Sequence, residues 1–291
     1  MSGMTKAKKR FRSALCTAVS FLLALALTLI GMLGVMRLTV LNPQYITYLS
    51  EKSGFSKETW SELKEEFISY GSACNVDESF FDKVFDSVIT QETIDSYTRE
   101  GINGLYNDGD YTSDVSELES RLLEELKIYA TDKGFKLDNT LTENLENMSR
   151  EMGQIFKNYA GMFNSSYFKT AINVLKNYMP LFKWALIGLS VFVLLSVIEI
   201  RLFFAKAKNY LRFYIYATSG ATLMLGVGPA VALIMKLGSR INIANASLYY
   251  FASSFINGMF TALLLAAAVT AAITVLLIIL RSAAIKNKNT D

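Results

Sequence analysis

Histidine is absent from the 291 residues, cysteine occurs twice and proline three times. Without histidine the chain lacks the usual base near neutral pH and the commonest transition-metal ligand. Cys16 opens an apolar run and Cys74 sits in a polar stretch, so an internal disulfide is not expected. Cys74 is read as a semi-buried thiol, the alternative being a link between two copies. Ser13-Ala14-Leu15-Cys16 is unlike a lipoprotein cleavage site, because a bulky Leu precedes the Cys. No Gly-x-Ser-x-Gly elbow, Walker-type glycine loop or paired zinc spacing occurs, and no internal repeat. Sustained alternation of apolar and polar residues is also missing, which argues against strands. The expectation is a non-enzymatic, all-α chain with no catalytic, cofactor-binding or metal residues, no cofactor and no nucleic-acid partner.

What the chain has is apolar surface: 52% hydrophobic residues and a mean hydropathy of +0.28. These residues gather in four runs of about 20, the length that crosses a hydrocarbon core of about 30 Å at 1.5 Å per residue. The expected division is a basic N-terminus (1–13), span 1 (14–36), a polar domain (37–180), span 2 (181–200), a loop (201–212), span 3 (213–235), a short loop (236–254), span 4 (255–280) and a C-terminal tail (281–291). Span 1 follows Lys6, Lys8, Lys9, Arg10 and Arg12, the charge order of a secretory signal. It is longer than a signal's apolar core, and Gly34-Val35-Met36-Arg37 offers no small-x-small cleavage pattern, so a signal anchor is expected.

Orientation follows from the charges. Basic residues precede span 1, join spans 2 and 3 (Arg201, Lys206, Lys208, Arg212) and follow span 4 (Arg281, Lys286, Lys288), whereas only Lys236 and Arg240 join spans 3 and 4. By the positive-inside bias both termini are expected in the cytoplasm of a multi-pass cell-membrane protein. Residues 38–180 hold 24 of the 26 acidic residues and are expected to form an extracytoplasmic domain. That length can bury about two-thirds of its unfolded surface, enough for an independent core.

The domain reads as helical. Trp60, Leu63, Phe67 and Ile68 share a face, as do Phe80, Phe81, Val84, Phe85 and Val88, and Ile94, Tyr97, Ile102 and Leu105. Longer stripes run through Val115, Leu118, Leu122, Leu126 and Tyr129, and through Leu145, Met148, Met152, Ile155, Tyr159 and Met162. Asp114 with Glu117 and Thr140 with Glu143 look like capping boxes, and Gly54, Gly71, Gly109 and Gly134 like stops. Residues 166–179 form a further amphipathic run, either continuous with span 2 or broken at Pro180.

A few features invite chemistry. The carboxylates of Asp108, Asp110 and Asp114 resemble a hard-cation loop, but the spacing lacks the helix-loop-helix calcium pattern, and an acidic turn capping the next helix is expected. In span 3, Gly226, Gly228 and Pro229 make a candidate kink or packing site, or a broken helix that exposes carbonyls. Ala262, Ala266, Thr270 and Thr274 form a small-residue stripe on span 4. Glu199 is the one acid in a span, near its end and beside Arg201. Arg201, Lys206, Lys208 and Arg212 are candidate cytoplasmic contacts, or else topology determinants among anionic headgroups. The triplets at Asn147, Asn164 and Asn245 fit glycosylation acceptors only by pattern.

The order of Lys6 to Arg12, the apolar run 14–36, a large polar domain and three clustered spans resembles permease subunits of the FtsX and MacB class. That resemblance implies an ATPase partner at the cytoplasmic face, although only 13 residues precede span 1 where the family places an amphipathic helix. The Lys-, Asn-, Tyr- and Ile-rich domain also resembles uncharacterised four-span proteins of low-GC Gram-positive bacteria. The first expectation is a membrane protein whose outer helical domain senses, binds or scaffolds a cell-surface component, with the bilayer and a protein as partners. The alternative is a permease or mechanotransmitting subunit with an ATPase, and the third is a small-solute transporter or channel.

Overall fold

Apolar residues spaced at three and four along most of the chain build helices, and the computed structural model, which describes residues 6–107, 114–204 and 206–286, holds no strand among them. The helices are α1 (Lys6–Leu38), α2 (Pro43–Lys52), α3 (Phe55–Ala73), α4 (Glu78–Ser87), α5 (Gln91–Tyr106), α6 (Ser116–Asp132), α7 (Asn139–Ala160), α8 (Ser166–Phe203), α9 (Ala207–Ile234) and α10 (Ala246–Lys286). Short 3-10 turns lie at Met162–Asn164 and Leu237–Ser239. The chain divides into a span unit (1–41, 177–240 and 255–291) and a helical unit (42–176 and 241–254). The helical unit thus takes in part of the segment read from sequence as a short loop between spans 3 and 4.

In the helical unit the expected faces meet in one core. Leu63, Phe67, Phe81, Val84, Phe85, Ile94, Leu122, Leu126, Met152 and Phe156 are almost wholly buried in it. Its aromatic rings meet mostly edge to face, Phe67 with Phe85 at 5.4 Å and Tyr97 with Phe156 at 5.0 Å, the arrangement that ring quadrupoles favour. Each such side chain contributes about 1.5–3 kcal/mol when buried. A second aromatic group, Phe55, Phe163 and Phe251, joins α3, the 3-10 turn and the start of α10.

Helix ends follow their caps, with corrections to the sequence reading. Asn42 accepts from Gln44 N–H ahead of Pro43, and Thr90 accepts from Thr93 N–H. Asp138, not Thr140, caps α7, accepting from Leu141 N–H at 2.7 Å. At α6, Asp114 accepts from Ser116 N–H, which holds its carboxyl below the usual range, while Glu117 pairs with Arg121 instead of closing a box. Gly134 ends α6 in the left-handed region and Gly54 precedes α3 there. Gly71 is not a stop: it lies buried inside α3, where a Cβ would collide with the Phe81 ring. Cys74 is exposed, not semi-buried, and neither cysteine is bridged. Gly109, Asp108 and Asp110 lie outside the described residues. The surface pair Lys133–Asp77 lowers the Asp77 pKa and raises that of Lys133 through their hydrogen bond.

Glu62 of α3 holds the first turn of α10. Its carboxylate accepts from Ala246 N–H at 2.7 Å and from the Asn245 amide at 3.1 Å. A carboxylate at a helix N-terminus satisfies a free N–H and faces the positive end of the dipole. Asn245 in turn accepts from Leu248 N–H at 2.7 Å, so its amide caps the helix rather than standing free as a glycan acceptor.

Four helices are long and apolar enough to cross a membrane: α8, α9, α10 and residues 10–38 of α1. Of the two readings at Pro180 the continuous one holds, since α8 runs unbroken through it, and α10 is longer than expected, beginning at Ala246. Within the span unit, α1 and α9 pack together over the longest stretch. Ala24 Cβ lies 3.1 Å from where a Cβ on Gly220 would sit, Gly31 faces Leu225, and Thr28 reaches Met224. The partners advance together along both helices, so α1 and α9 run parallel. Along α9 and α10 they run in opposite order, Lys208 with Arg281, Thr222 with Thr270 and Gly226 with Ala267, so these two are antiparallel. The α8–α9 link closes a second antiparallel pair, in which Tyr214 O–H donates to the Val197 carbonyl at 2.7 Å.

Two outcomes test this packing. Gly71→Ala should lower the thermal midpoint of the full chain in detergent. Helix propensity alone favours Ala by about 1 kcal/mol, but forcing a methyl against a fully buried ring costs about 1–3 kcal/mol. A raised midpoint would show that the Phe81 ring does not press on Gly71. Glu62→Ala should speed amide exchange at Ala246–Leu248 while leaving α7 protected. Unchanged exchange there would mean that Glu62 does not hold α10.

Candidate functional site

The parallel and antiparallel registers bring the N-terminal ends of α1 and α9 together with the C-terminal ends of α8 and α10. Five basic residues therefore share one end of the span unit, Arg12, Arg201, Lys208, Arg212 and Arg281, while Arg37, Lys236 and Arg240 lie at the other. The segment 201–212 is not a loop. Arg201 lies in the last turn of α8, only residues 204–206 link the helices, Lys206 sits at the N-cap of α9, and Lys208 and Arg212 lie in its first two turns. The charges mark the edge of the apolar run, but Leu202 and Phe203 continue α8, and Phe203 and Phe204 pack into the cluster around Phe213.

Aromatic faces hold the guanidiniums. Arg12 lies 4.4 Å over the Phe204 ring, Phe204 stacks on Phe213 at 5.2 Å, and Arg212 lies 4.8 Å over Phe213 and 5.9 Å over Tyr216. Such cation–π contacts fix a guanidinium plane and leave its N–H edge available. Arg212 also donates to Ser13 Oγ at 3.5 Å, and Arg281 donates to the Lys208 carbonyl at 3.3 Å. Lys208 and Arg212 are four residues apart on one face of α9, and Arg281 reaches the first turn of that helix at Lys208. Glu199 is exposed on α8, and among the described residues no ion pair joins it to these cations.

Within span 3 the three candidate residues separate. Gly226 admits α10, since a Cβ there would lie 3.3 Å from Ala267 Cβ; a Cβ on Gly228 would meet nothing, and Pro229 is buried. The helix continues through all three to Ile234, with no unwound turn. Hydroxyls at depth return to their own helices: Thr28 to the Ala24 carbonyl, Thr222 to Thr218 and Thr274 to Thr270. Thr222 also bonds Thr270 across the helix pair at 3.0 Å.

A cleft of about 220 Å³ lies between α5 and α6 of the helical unit. Thr93, Ser96 and Glu100 line one wall, Glu117 and Arg121 the other, and Tyr97 and Phe156 lie beneath. It is smaller than the ~300–1,000 Å³ of small-molecule sites. Among the described residues no group of three His, Cys, Asp or Glu side chains is placed to hold a metal ion.

The sequence pointed to Arg201, Lys206, Lys208 and Arg212 as contacts. It did not single out Arg12, Arg281, Phe204 and Phe213, whose meeting depends on helix register; the available signal was their shared place at span ends. No family model, characterised protein or solved structure matches the chain.

Proposed function

We propose that the chain is a four-span cell-membrane protein with both termini cytoplasmic, anchored by an uncleaved signal anchor. Its helical unit stands outside and binds or scaffolds a cell-surface component without chemistry of its own. The span unit supports the role of anchor: α9 packs on α1 and α10 through small side chains, and its buried hydroxyls are satisfied within helices, which leaves little to line a solute path. Strong net acidity and the small polar cleft between α5 and α6 suit the outer unit to protein contacts. The gathering of basic residues at one end supports a cytoplasmic placement of that end.

A second reading, a mechanotransmitting subunit with an ATPase partner, is favoured by the long helices α8 and α10, each with residues in both units. Labelling on intact cells tests the arrangement. Cysteine at Ser120 should react with a membrane-impermeant thiol reagent and cysteine at Asn209 should not; the reverse pattern contradicts it. Purification of the native complex in mild detergent should yield a surface protein and no stoichiometric nucleotide-binding subunit. Recovery of such a subunit, lost when Lys206 and Lys208 become Glu with insertion intact, would favour the second reading.

A further inference from the structure

Cations do not gather in a folded protein without cost. Arg12, Lys208, Arg212 and Arg281 meet around the first two turns of α9, where the helix already presents the positive end of its dipole. That N-terminus has no acidic residue in its first turn and no side-chain cap. Among the described residues none of these cations has a carboxylate within 4.0 Å, although five ion pairs form elsewhere. Arg212 Nε is buried without a hydrogen-bond partner, even though its guanidinium is pinned by Phe213, Tyr216 and Ser13. Guanidiniums pinned by aromatic rings, with no carboxylate beside them, are arranged for an anion that the chain does not itself supply.

We propose that this basic end of the span unit, around the first turns of α9, binds the phosphate of an anionic phospholipid headgroup. Phosphate suits it for three reasons. Its oxygens accept the paired N–H groups of a guanidinium fork, which chloride cannot do. The cations lie at the end of apolar helices whose outer faces are exposed, Leu202, Leu276, Ile279 and Leu280 among them, so acyl chains have a surface beside the headgroup. Basic pockets between spans at a membrane surface are matched in charge and depth to phosphodiester headgroups. A soluble phosphate shares the headgroup chemistry but gains nothing from the apolar faces. The inference holds whatever the helical unit binds, because no residue of that unit enters it.

The test uses the full chain, purified in a mild nonionic detergent and stripped of lipid. Native mass spectrometry and thermal unfolding are read with phosphatidylglycerol, cardiolipin, phosphatidylcholine or inorganic phosphate added. Phosphatidylglycerol or cardiolipin should be retained and should raise the midpoint, while phosphatidylcholine should do neither. Arg212→Gln and Arg281→Gln should each weaken retention by roughly tenfold, the scale of one lost charge-assisted contact, with helical content unchanged. Arg212→Lys, which keeps the charge but not the planar fork, should fall between. Lys236→Gln with Arg240→Gln, at the other end of α9, should retain lipid as the native chain does. Should Arg212→Gln fail to fold, Arg281→Gln and Arg212→Lys decide the matter. Equal retention of phosphatidylcholine, or full retention by folded Arg281→Gln and Arg212→Lys, would overturn the proposal. A midpoint rise with inorganic phosphate equal to that with phosphatidylglycerol would overturn the lipid assignment and leave a soluble phosphate as the ligand.

Discussion

The close approach of α1 and α9 is the constraint on which the span unit rests. In a bilayer, lipid tails are as apolar as leucine, so helices associate through tight packing and not through exclusion of water. Ala24 against Gly220, and Gly31 against the Leu225 side chain, allow that packing. Once α1 and α9 lie parallel, the rest of the unit has few choices. The link at 204–206 returns α8 antiparallel to α9, and Gly226 against Ala267 seats α10 on α9. The shared basic end is a consequence of these registers.

The helical unit depends on different physics. Its stability comes from water exclusion around Phe67, Phe81, Phe85 and Phe156, with polar ends satisfied by Asn42, Thr90 and Asp138. Glu62 and the separate Phe55–Phe163–Phe251 group hold the first turns of α10, which belong to the helical unit.

Much of this was legible in the sequence, for identifiable reasons. The spans and the core faces of α3, α4, α5 and α7 follow from apolar periodicity, which is a local property. The cap of α7 was placed two residues late because Glu143, three residues after Thr140, imitates a capping box, whereas Asp138 caps alone with Leu141 in that place. Gly71 was read as a stop because a glycine's need for space looks the same as its freedom to turn; the ring that requires the space is ten residues away, on α4. The loop at 201–212 was drawn too long because charge marks where a membrane surface lies, not where a helix ends. Nothing local could reveal that Phe55, Phe163 and Phe251 meet, or that Arg12 and Arg212 flank one aromatic stack.

The parallel pairing of α1 with α9 is most directly tested by disulfide trapping in native membranes. With Cys16 and Cys74 replaced by Ser, cysteines at Ala24 and Gly220 should cross-link under mild oxidation, because their Cβ positions are about as close as a disulfide requires. A cysteine at Ala24 paired with one at exposed Leu265 should not cross-link within a chain. Absence of the Ala24–Gly220 bridge in a properly inserted chain would contradict the account.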